Sequence, residues 1–136
     1  MARILFSAVD PRLVTQLTAF LAADRHEIRR ERSNAAVTAL LDANVVFAGG
    51  EPTYYLPLLR RVRAVDPLLC FVVVARYPDT SEWLEAIEAG ATDYWSSPFD
   101  PRLIRSLIAT SIARRAAAGA AASTRQAFIG ESLVRG

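Results

Sequence analysis

Seven consecutive apolar residues, Leu69 to Ala75, limit the possible folds of this chain more than any other segment. A strand with one face in water alternates apolar and polar side chains, whereas a strand covered on both faces is apolar throughout. The run is also far shorter than the roughly 20 residues that a membrane-spanning helix needs. It therefore predicts a central strand of a parallel sheet that has helices on both faces.

Strand-like and helix-like segments alternate along the rest of the chain. Short strands are predicted at residues 4–9, 27–32 and 45–48 and within the segment 90–101, with the second of them at an edge of the sheet. Apolar residues at helical spacing follow each predicted strand. Five such pairs favour right-handed crossovers and a doubly wound (βα)5 fold of the α/β class.

Capping signals place the helix boundaries. Asp before Pro is a strong helix start, because Asp caps the helix and Pro suits its first position. A variant of the capping box and a glycine suited to the residue after a helix end bound the fourth helix. In chain order these signals are Asp10-Pro11, Asp79 with Glu82, Gly90, and Asp100-Pro101.

Apolar residues at helical spacing form stripes on four of the predicted helices, and the stripe of the fifth helix is expected to face inward. Pro57 is expected in or near the first turn of the third helix, because proline disrupts a helix interior. The stripe residues are Leu13, Val14, Leu17, Phe20 and Leu21 on the first helix, Leu56, Leu59 and Val62 on the third, Trp83, Leu84 and Ile87 on the fourth, and Leu103, Ile104, Leu107, Ile108 and Ile112 on the fifth.

The composition indicates one globular domain in a reducing compartment. With 136 residues, the chain is long enough for one core and too short for two ordinary domains. Cys70 is the lone cysteine and no signal peptide is recognisable, so a cytoplasmic location is expected. The net charge is only +2, and acidic residues lie among the arginines. This pattern predicts a solvated surface that binds neither nucleic acid nor membrane.

The segment from Gly90 to Pro101 resembles the last βα unit of a bacterial response-regulator receiver domain. The resemblance covers roughly residues 3–115 and depends on the order and spacing of several short motifs. It implies a flavodoxin-like fold with strand order 2-1-3-4-5. The motifs are Ala75, Gly90-Ala91, Asp93-Tyr94 and Pro98-Phe99.

The resemblance also implies that the chemistry of the family is missing. Receivers accept a phosphoryl group from a histidine kinase onto an aspartate at the end of the third strand. An acidic pair after the first strand holds Mg²⁺, while a Ser or Thr after the fourth strand and a Lys before Pro-Phe bind phosphoryl oxygens. The acidic pair corresponds here to Ala8 and Val9, the phosphoacceptor to Gly49, the Ser or Thr to Ala75 and the Lys to Ser97. The chain therefore resembles a degenerate receiver, or pseudo-receiver.

Asp10 is the acidic residue next to the first strand end, and capping its helix is a sufficient role for it. Two other interpretations stay open: Glu51 as a mimic of a phosphorylated aspartate, and Asp10 with Glu51 as a cation site. Two carboxylates alone make a poor Mg²⁺ site. Neither a metal nor another cofactor is therefore expected.

A phosphorylation-independent regulatory and protein-interaction module, in signal transduction or transcription control, is the function that the resemblance implies. Receivers commonly dimerise or bind partners through the fourth helix, fifth strand and fifth helix. Trp83, Tyr94 and Trp95 lie on these elements and are the candidate interface residues. We therefore expect a homodimer, or a contact with another signalling protein.

The alternative function is that of a small-molecule sensor. Its ligand would occupy the emptied pocket around Ala8, Gly49, Ala75 and Ser97. An enzyme is not expected, because the chain has one His, one Cys and no Lys, and His26 has no visible partner in the sequence.

The end of the chain carries a second, weaker resemblance. Residues 1–115 are expected to form the receiver-like domain and residues 116–136 a linker or tail. The sequence from Phe128 to Ser132 is similar to the first residues of the AAA+ domain of sigma-54-dependent activators. This similarity implies that the chain is the N-terminal domain of such an activator, with a AAA+ domain after it.

Overall fold

The computed structural model describes residues 2–22, 24–31 and 37–117. Within them, five parallel strands form one sheet in the order β2-β1-β3-β4-β5, which confirms the predicted flavodoxin-like fold. The mostly polar β2 lies at an edge, as predicted, and the apolar β4 lies between two neighbours. The strands are β1 Arg3–Ser7, β2 Glu27–Glu31, β3 Val45–Ala48, β4 Cys70–Ala75 and β5 Asp93–Ser96.

A helix follows each strand in the described part of the chain. The predicted start of the second helix at Ala35 lies outside the described residues, as do residues 118–136, which make up most of the predicted linker or tail. None of the described helices combines the length and apolarity that a bilayer crossing requires. The helices are α1 Pro11–Leu21, α2 Val37–Leu41, α3 Pro52–Val65 and α4 Thr80–Glu88, with α5 at residues 101–117.

The predicted capping residues occupy the helix ends. The Asp10 carboxylate accepts the Arg12 backbone N–H at 2.8 Å, and the Asp79 carboxylate accepts that of Glu82 at 3.0 Å. Gly90 follows α4 with a φ of +105°, a conformation that suits glycine best. These local contacts end the helices where the sequence indicates.

The sheet separates two hydrophobic cores. Residues of β3 alternate between them, so that Val45 and Phe47 face one core while Val46 and Ala48 face the other. All four are fully buried. The first core contains α1 and α5 residues, namely Leu13, Val14, Leu17, Leu21, Ile104 and Ile108. The second contains Leu40 of α2, Tyr55, Leu58, Leu59 and Val62 of α3, and Ala86 of α4.

The apolar stripe of α4 lies on the outer side of the helix. Trp83, Leu84 and Ile87 are 44%, 48% and 39% exposed, and Ala86 is the buried residue of this helix. At about 100° per residue, Leu84 lies roughly 160° around the helix from Ala86. Helical spacing identified the apolar stripe but did not say whether another element covers it.

The stripes of α1 and α5 are correct only in part. On α5, Ile104 and Ile108 are buried, whereas Leu103 and Ile112 lie on the exposed flanks of the helix. On α1, Phe20 is exposed although the other four predicted residues are buried. An apolar stripe wider than the contact with the sheet leaves its outer members in solvent.

Pro57 lies inside α3, contrary to the prediction that it would be in or near the first turn. Pro52 occupies the first helical position instead, where a missing N–H costs nothing. Because Pro57 has no N–H, the Thr53 carbonyl has no hydrogen-bond partner within the helix. Both residues are exposed. Water is therefore available to the unpaired carbonyl, and the helix continues to Val65.

The Arg63 side chain connects α3 to the turn between α4 and β5. Its Nε–H donates to the Gly90 carbonyl at 2.7 Å, and its terminal nitrogens donate to the Asp66 carbonyl at 3.1 Å and to Thr92 Oγ1 at 3.3 Å. Burial lowers the pKa of the guanidinium. These bonds join the connection between α3 and β4 to the connection between α4 and β5, at the amino-terminal side of the two strands.

Replacing Arg63 by Met keeps the aliphatic stem and removes the guanidinium. We expect Arg63→Met to lower the free energy of unfolding by about 1–3 kcal/mol, because two backbone carbonyls lose a charged donor. Urea denaturation measures this difference. The control is Arg61→Met on the exposed side of the same helix, where a change within about 0.5 kcal/mol is expected. Equal losses in both variants would contradict the role of Arg63.

Candidate functional site

All strands are parallel, so their carboxyl ends meet at one edge of the sheet, where ligands of open α/β folds bind. The residues just beyond β1, β3, β4 and β5 therefore define the candidate site. The sequence predicted a degenerate pocket there. Its residues are Ala8, Val9 and Asp10 after β1, Gly49 after β3, Ala75 at the end of β4, and Ser97 after β5.

The connection after β1 turns sharply. Ala8 has a φ of +55°, which non-glycine residues rarely adopt, and its N–H donates to the Glu31 carbonyl at 3.0 Å. This geometry ends β1 at Ser7, two residues before the predicted end, and Val9 is buried. The backbone thus bends toward the end of β3.

Gly49 lies directly beneath this bend. A Cβ atom at Gly49 would lie 3.0 Å from the Val9 Cα and 3.1 Å from the Ala8 carbonyl oxygen, closer than ordinary van der Waals contact. The Gly49 N–H donates to the Ser7 carbonyl at 3.0 Å, which holds the two strand ends together. The end of β3 therefore has no room for a side chain unless the backbone moves.

Ser97 and Ala75 meet through the backbone. The Ser97 N–H donates to the Ala75 carbonyl at 3.3 Å, while the Ser97 hydroxyl donates to Gln16 Oε1 of α1 at 2.9 Å. The Ser97–Pro98 peptide bond is cis. The hydroxyl at this position is thus engaged with α1.

The four residues of the predicted sensor pocket do not line one cavity. Ala8 lines a cavity of about 450 Å³ beside β2, and Ala75 lines a separate cleft of about 230 Å³. Gly49 and Ser97 line neither of these two. The structure thus divides the predicted pocket into two spaces.

The cleft beside Ala75 carries the polar groups of the site, and we call it the acidic cleft. Three of the polar residues that line it, Arg76, Glu82 and Tyr55, were not predicted from the sequence to belong to the site. Arg76 follows directly after the predicted strand and was recognisable from that position, whereas nothing in the sequence brings Tyr55 of α3 to the end of β4. The residues that line the acidic cleft are Asp10, Leu13, Gly50, Glu51, Tyr55, Val73, Val74, Ala75, Arg76, Glu82 and Tyr94.

The predicted interface residues Tyr94 and Trp95 are buried on opposite faces of β5. The Tyr94 hydroxyl donates to Glu82 Oε2 at 3.1 Å, and burial followed by this bond raises the pKa of Tyr94 to about 12. The Trp95 ring lies 5.8 Å from that of Phe47, and its indole N–H donates to Asp93 at 2.8 Å. Tyr94 thus joins β5 to α4.

The third candidate, Trp83, lies on the outer face of α4 together with Leu84 and Ile87. Residues three and four apart on a helix are neighbours, so that these side chains form one continuous apolar surface. We call it the α4 face. Tyr77, in the loop that precedes α4, is also strongly exposed.

The interpretation of Asp10 with Glu51 as a cation site, which the sequence left open, gains no third ligand among the described residues. Within residues 2–22, 24–31 and 37–117, no group of three or more acidic, His or Cys side chains lies close enough to hold a metal ion. Asp10 caps α1 and approaches the Arg76 guanidinium at 3.8 Å. Its carboxylate is thus already engaged.

No family model matches the chain, and neither does any curated protein. Solved structures do match. NtrX from Brucella abortus is 22% identical over 87% of this chain, with a TM-score of 0.68, and the match spans 29% of the NtrX chain.

Two further structures match over nearly their whole length. A putative response regulator from Chloroflexus aurantiacus J-10-fl is 22% identical with a TM-score of 0.64, covering 82% of this chain and 98% of its own. A two-component response regulator from Clostridium difficile is 17% identical with a TM-score of 0.68, and the match covers 85% of this chain and 98% of the regulator. The chain therefore has the fold of response-regulator receiver domains.

The crowding at Gly49 gives a prediction about stability. Gly49→Ala should lower the free energy of unfolding by about 1–3 kcal/mol, because its Cβ overpacks against the backbone of β1. The matched control is Ala75→Ser, which also adds one atom at a strand end but faces the acidic cleft. Thermal or urea unfolding measures both. A Gly49→Ala variant as stable as Ala75→Ser would contradict the close approach.

Proposed function

We propose that the chain is a regulatory module of receiver fold that acts through protein contacts without accepting a phosphoryl group. We infer that it associates with itself through the α4 face together with β5 and α5, in the cytoplasm. The observation that carries this proposal is the end of β3, where Gly49 offers no nucleophile and a Cβ would lie within 3.1 Å of the backbone of Ala8 and Val9.

The groups around Gly49 support independence from phosphorylation. In receivers, a hydroxyl after β4 and a lysine before Pro-Phe contact the phosphoryl oxygens. Ala75 has no hydroxyl, and the Ser97 hydroxyl is hydrogen-bonded to Gln16. A phosphoryl group here would lack both its acceptor and the cations that offset its charge.

The inward position of Tyr94 supports a contact surface with a fixed shape. Its hydroxyl is bound to Glu82 in the first turn of α4, without help from a residue at the end of β4. This bond holds the start of α4 against β5. The bond therefore fixes the position of the helix that carries the α4 face.

The α4 face supports association with a protein. Trp83, Leu84 and Ile87 expose apolar area on one side of a short helix, and contiguous exposed apolar area on a soluble domain usually marks an interaction site. Tryptophan is also enriched among the residues that dominate binding energy. A second copy of this chain is the occupant that we propose.

Catalysis has little support among the described residues. His26 precedes β2 at the amino-terminal edge of the sheet, where its Nδ1 accepts the Ala2 N–H at 3.1 Å. Burial raises the pKa of the Cys70 thiol to about 11, so that it is protonated at neutral pH. Both groups lie at the opposite edge from the acidic cleft.

We also propose that the module is part of a longer protein, on the basis of a short similarity near the end of the sequence. The similarity of residues 128–132 to the start of a AAA+ domain of sigma-54-dependent activators supports a role as the N-terminal domain of such an activator. In NtrX, the matching part is likewise 29% of a longer chain.

Self-association is tested by a charge on the α4 face. Leu84→Arg should raise the dissociation constant of the dimer by about tenfold or more, because a buried leucine contributes roughly 1.5–3 kcal/mol. Light scattering at several protein concentrations measures the molar mass. The control is Leu68→Arg on the turn between α3 and β4, where Leu68 is 55% exposed. A wild-type chain that stays monomeric, or equal effects of both variants, would refute this interface.

Independence from phosphorylation is tested by thermal unfolding with Mg²⁺ and beryllofluoride, an analogue of the phosphoryl group. Neither should change the melting temperature, because a ligand stabilises a protein only by binding its native state. A rise of several degrees with either one would contradict the proposal. Ionic strength is matched with NaCl in the control samples.

A further inference from the structure

His26 precedes β2 at the amino-terminal edge of the sheet, and its side chain is only 8% exposed. The imidazole Nδ1 accepts the Ala2 backbone N–H at 3.1 Å. Ala2 is itself fully buried, and its carbonyl accepts the Glu27 N–H at 2.9 Å. The imidazole is therefore part of the hydrogen bonding with which the pairing of β1 and β2 begins.

The direction of this hydrogen bond determines which protonation state of the imidazole can form it. A backbone N–H can only donate, so Nδ1 must present its lone pair and carry no proton. A protonated imidazole has an N–H at both ring nitrogens and can no longer accept. Protonation of His26 and its hydrogen bond with Ala2 therefore exclude each other.

Loss of the bond is unfavourable because of its location. The Ala2 N–H is buried, and a buried donor without a partner keeps its full desolvation cost. A protonated imidazole would also place its own N–H against that of Ala2. In the unfolded chain no such bond is lost when the imidazole binds a proton, which histidine ordinarily does at about pH 6.5. Acid therefore favours the unfolded or locally opened chain.

The charged groups near the imidazole do little to offset this loss. The Asp24 carboxylate lies 3.8 Å from Nε2, but it is 60% exposed, so that water and salt screen its attraction. The Glu27 carboxylate on β2 is already paired with Arg3 of β1 at 3.4 Å and with Arg29 of β2 at 3.1 Å. Arg25, directly before the histidine, carries a positive charge.

The pairing of β1 with its other neighbour, β3, has separate supports. The Arg3 N–H donates to Asn44 Oδ1 at 2.8 Å, and the Arg3 carbonyl accepts the Asn44 N–H at 2.8 Å. The Arg3 guanidinium donates to both carboxylate oxygens of Asp42 at 2.9 Å. None of these bonds involves the imidazole. Acid should therefore weaken the attachment of β2 and leave that of β3 in place.

We propose that His26 is a pH-sensitive contact that joins the edge strand β2 to β1 at neutral pH and weakens their pairing in acid. The stability that it contributes is present above the ordinary titration range of histidine and is lost as the pH falls through that range. β2 and β5 are the two edges of the sheet. The proposal is therefore independent of self-association through the α4 face.

The test compares the wild-type chain with His26→Asn. The amide oxygen of asparagine can accept the Ala2 N–H in place of Nδ1, and it does not titrate. Thermal unfolding is measured at about pH 7.5 and at about pH 5.5, on either side of the ordinary histidine range. The melting temperature of the wild-type chain should fall by several degrees more than that of His26→Asn. Equal falls would overturn the proposal, because both chains carry the same carboxylates.

Nuclear magnetic resonance of the wild-type chain provides a test that does not depend on the folding of a variant. His26 is the one histidine of the sequence, so its ring signals are unambiguous. The Ala2 amide signal should change with the same midpoint as the imidazole when the pH is lowered, whereas the Asn44 amide signal should not. An imidazole that titrates while the Ala2 signal stays unchanged would contradict the proposal.

Hydrogen exchange locates the response within the sheet. Relative to the amides of β3, those of β2 should lose protection by about tenfold between neutral and acidic pH, the size expected for one lost hydrogen bond. An equal change in both strands would show a general effect of acid and would refute a contact specific to β2. Leu84→Arg should respond like the wild-type chain, so that loss of the dimer and opening of β2 are distinguishable.

Discussion

β3 is buried on both faces and contributes to both hydrophobic cores, so the position of the other elements depends on it. Val45 and Phe47 contact one core, and Val46 and Ala48 contact the other. β1 and β4 pair with its two edges. Gly49 follows its last residue, where the backbone of Ala8 and Val9 closes over it. The strand that organises the fold thus ends at a residue that has no nucleophile and little room for a Cβ.

Patterns with a local physical cause predicted most of the fold. The apolar run of β4, the Asp-Pro helix starts and Gly90 each depend on neighbouring residues, and the structure confirms them. The spacing of the apolar residues on α4 identified one face of the helix, but it did not indicate whether another element packs against that face. Ala86 is the buried residue of this helix. Tyr55 was missed for a related reason, since its place in the acidic cleft depends on the packing of α3 beside β4. The strand-end positions were predictable, whereas their division between two cavities was not.

The site and the α4 face connect through Glu82. This residue lines the acidic cleft, accepts the Tyr94 hydroxyl, and precedes Trp83 and Leu84 on the outside of the same helix. The Tyr94 bond thus links the acidic cleft to the helix that carries the α4 face, and we propose that regulation comes from association.

The most direct test of regulation without phosphorylation is the dimer dissociation constant, measured by sedimentation equilibrium with and without Mg²⁺ and a small-molecule phosphoryl donor. We predict reversible self-association with the same dissociation constant in both conditions, and an unchanged intact mass by mass spectrometry. A phosphorylated species, or a dissociation constant that changes when the donor is added, would contradict the account.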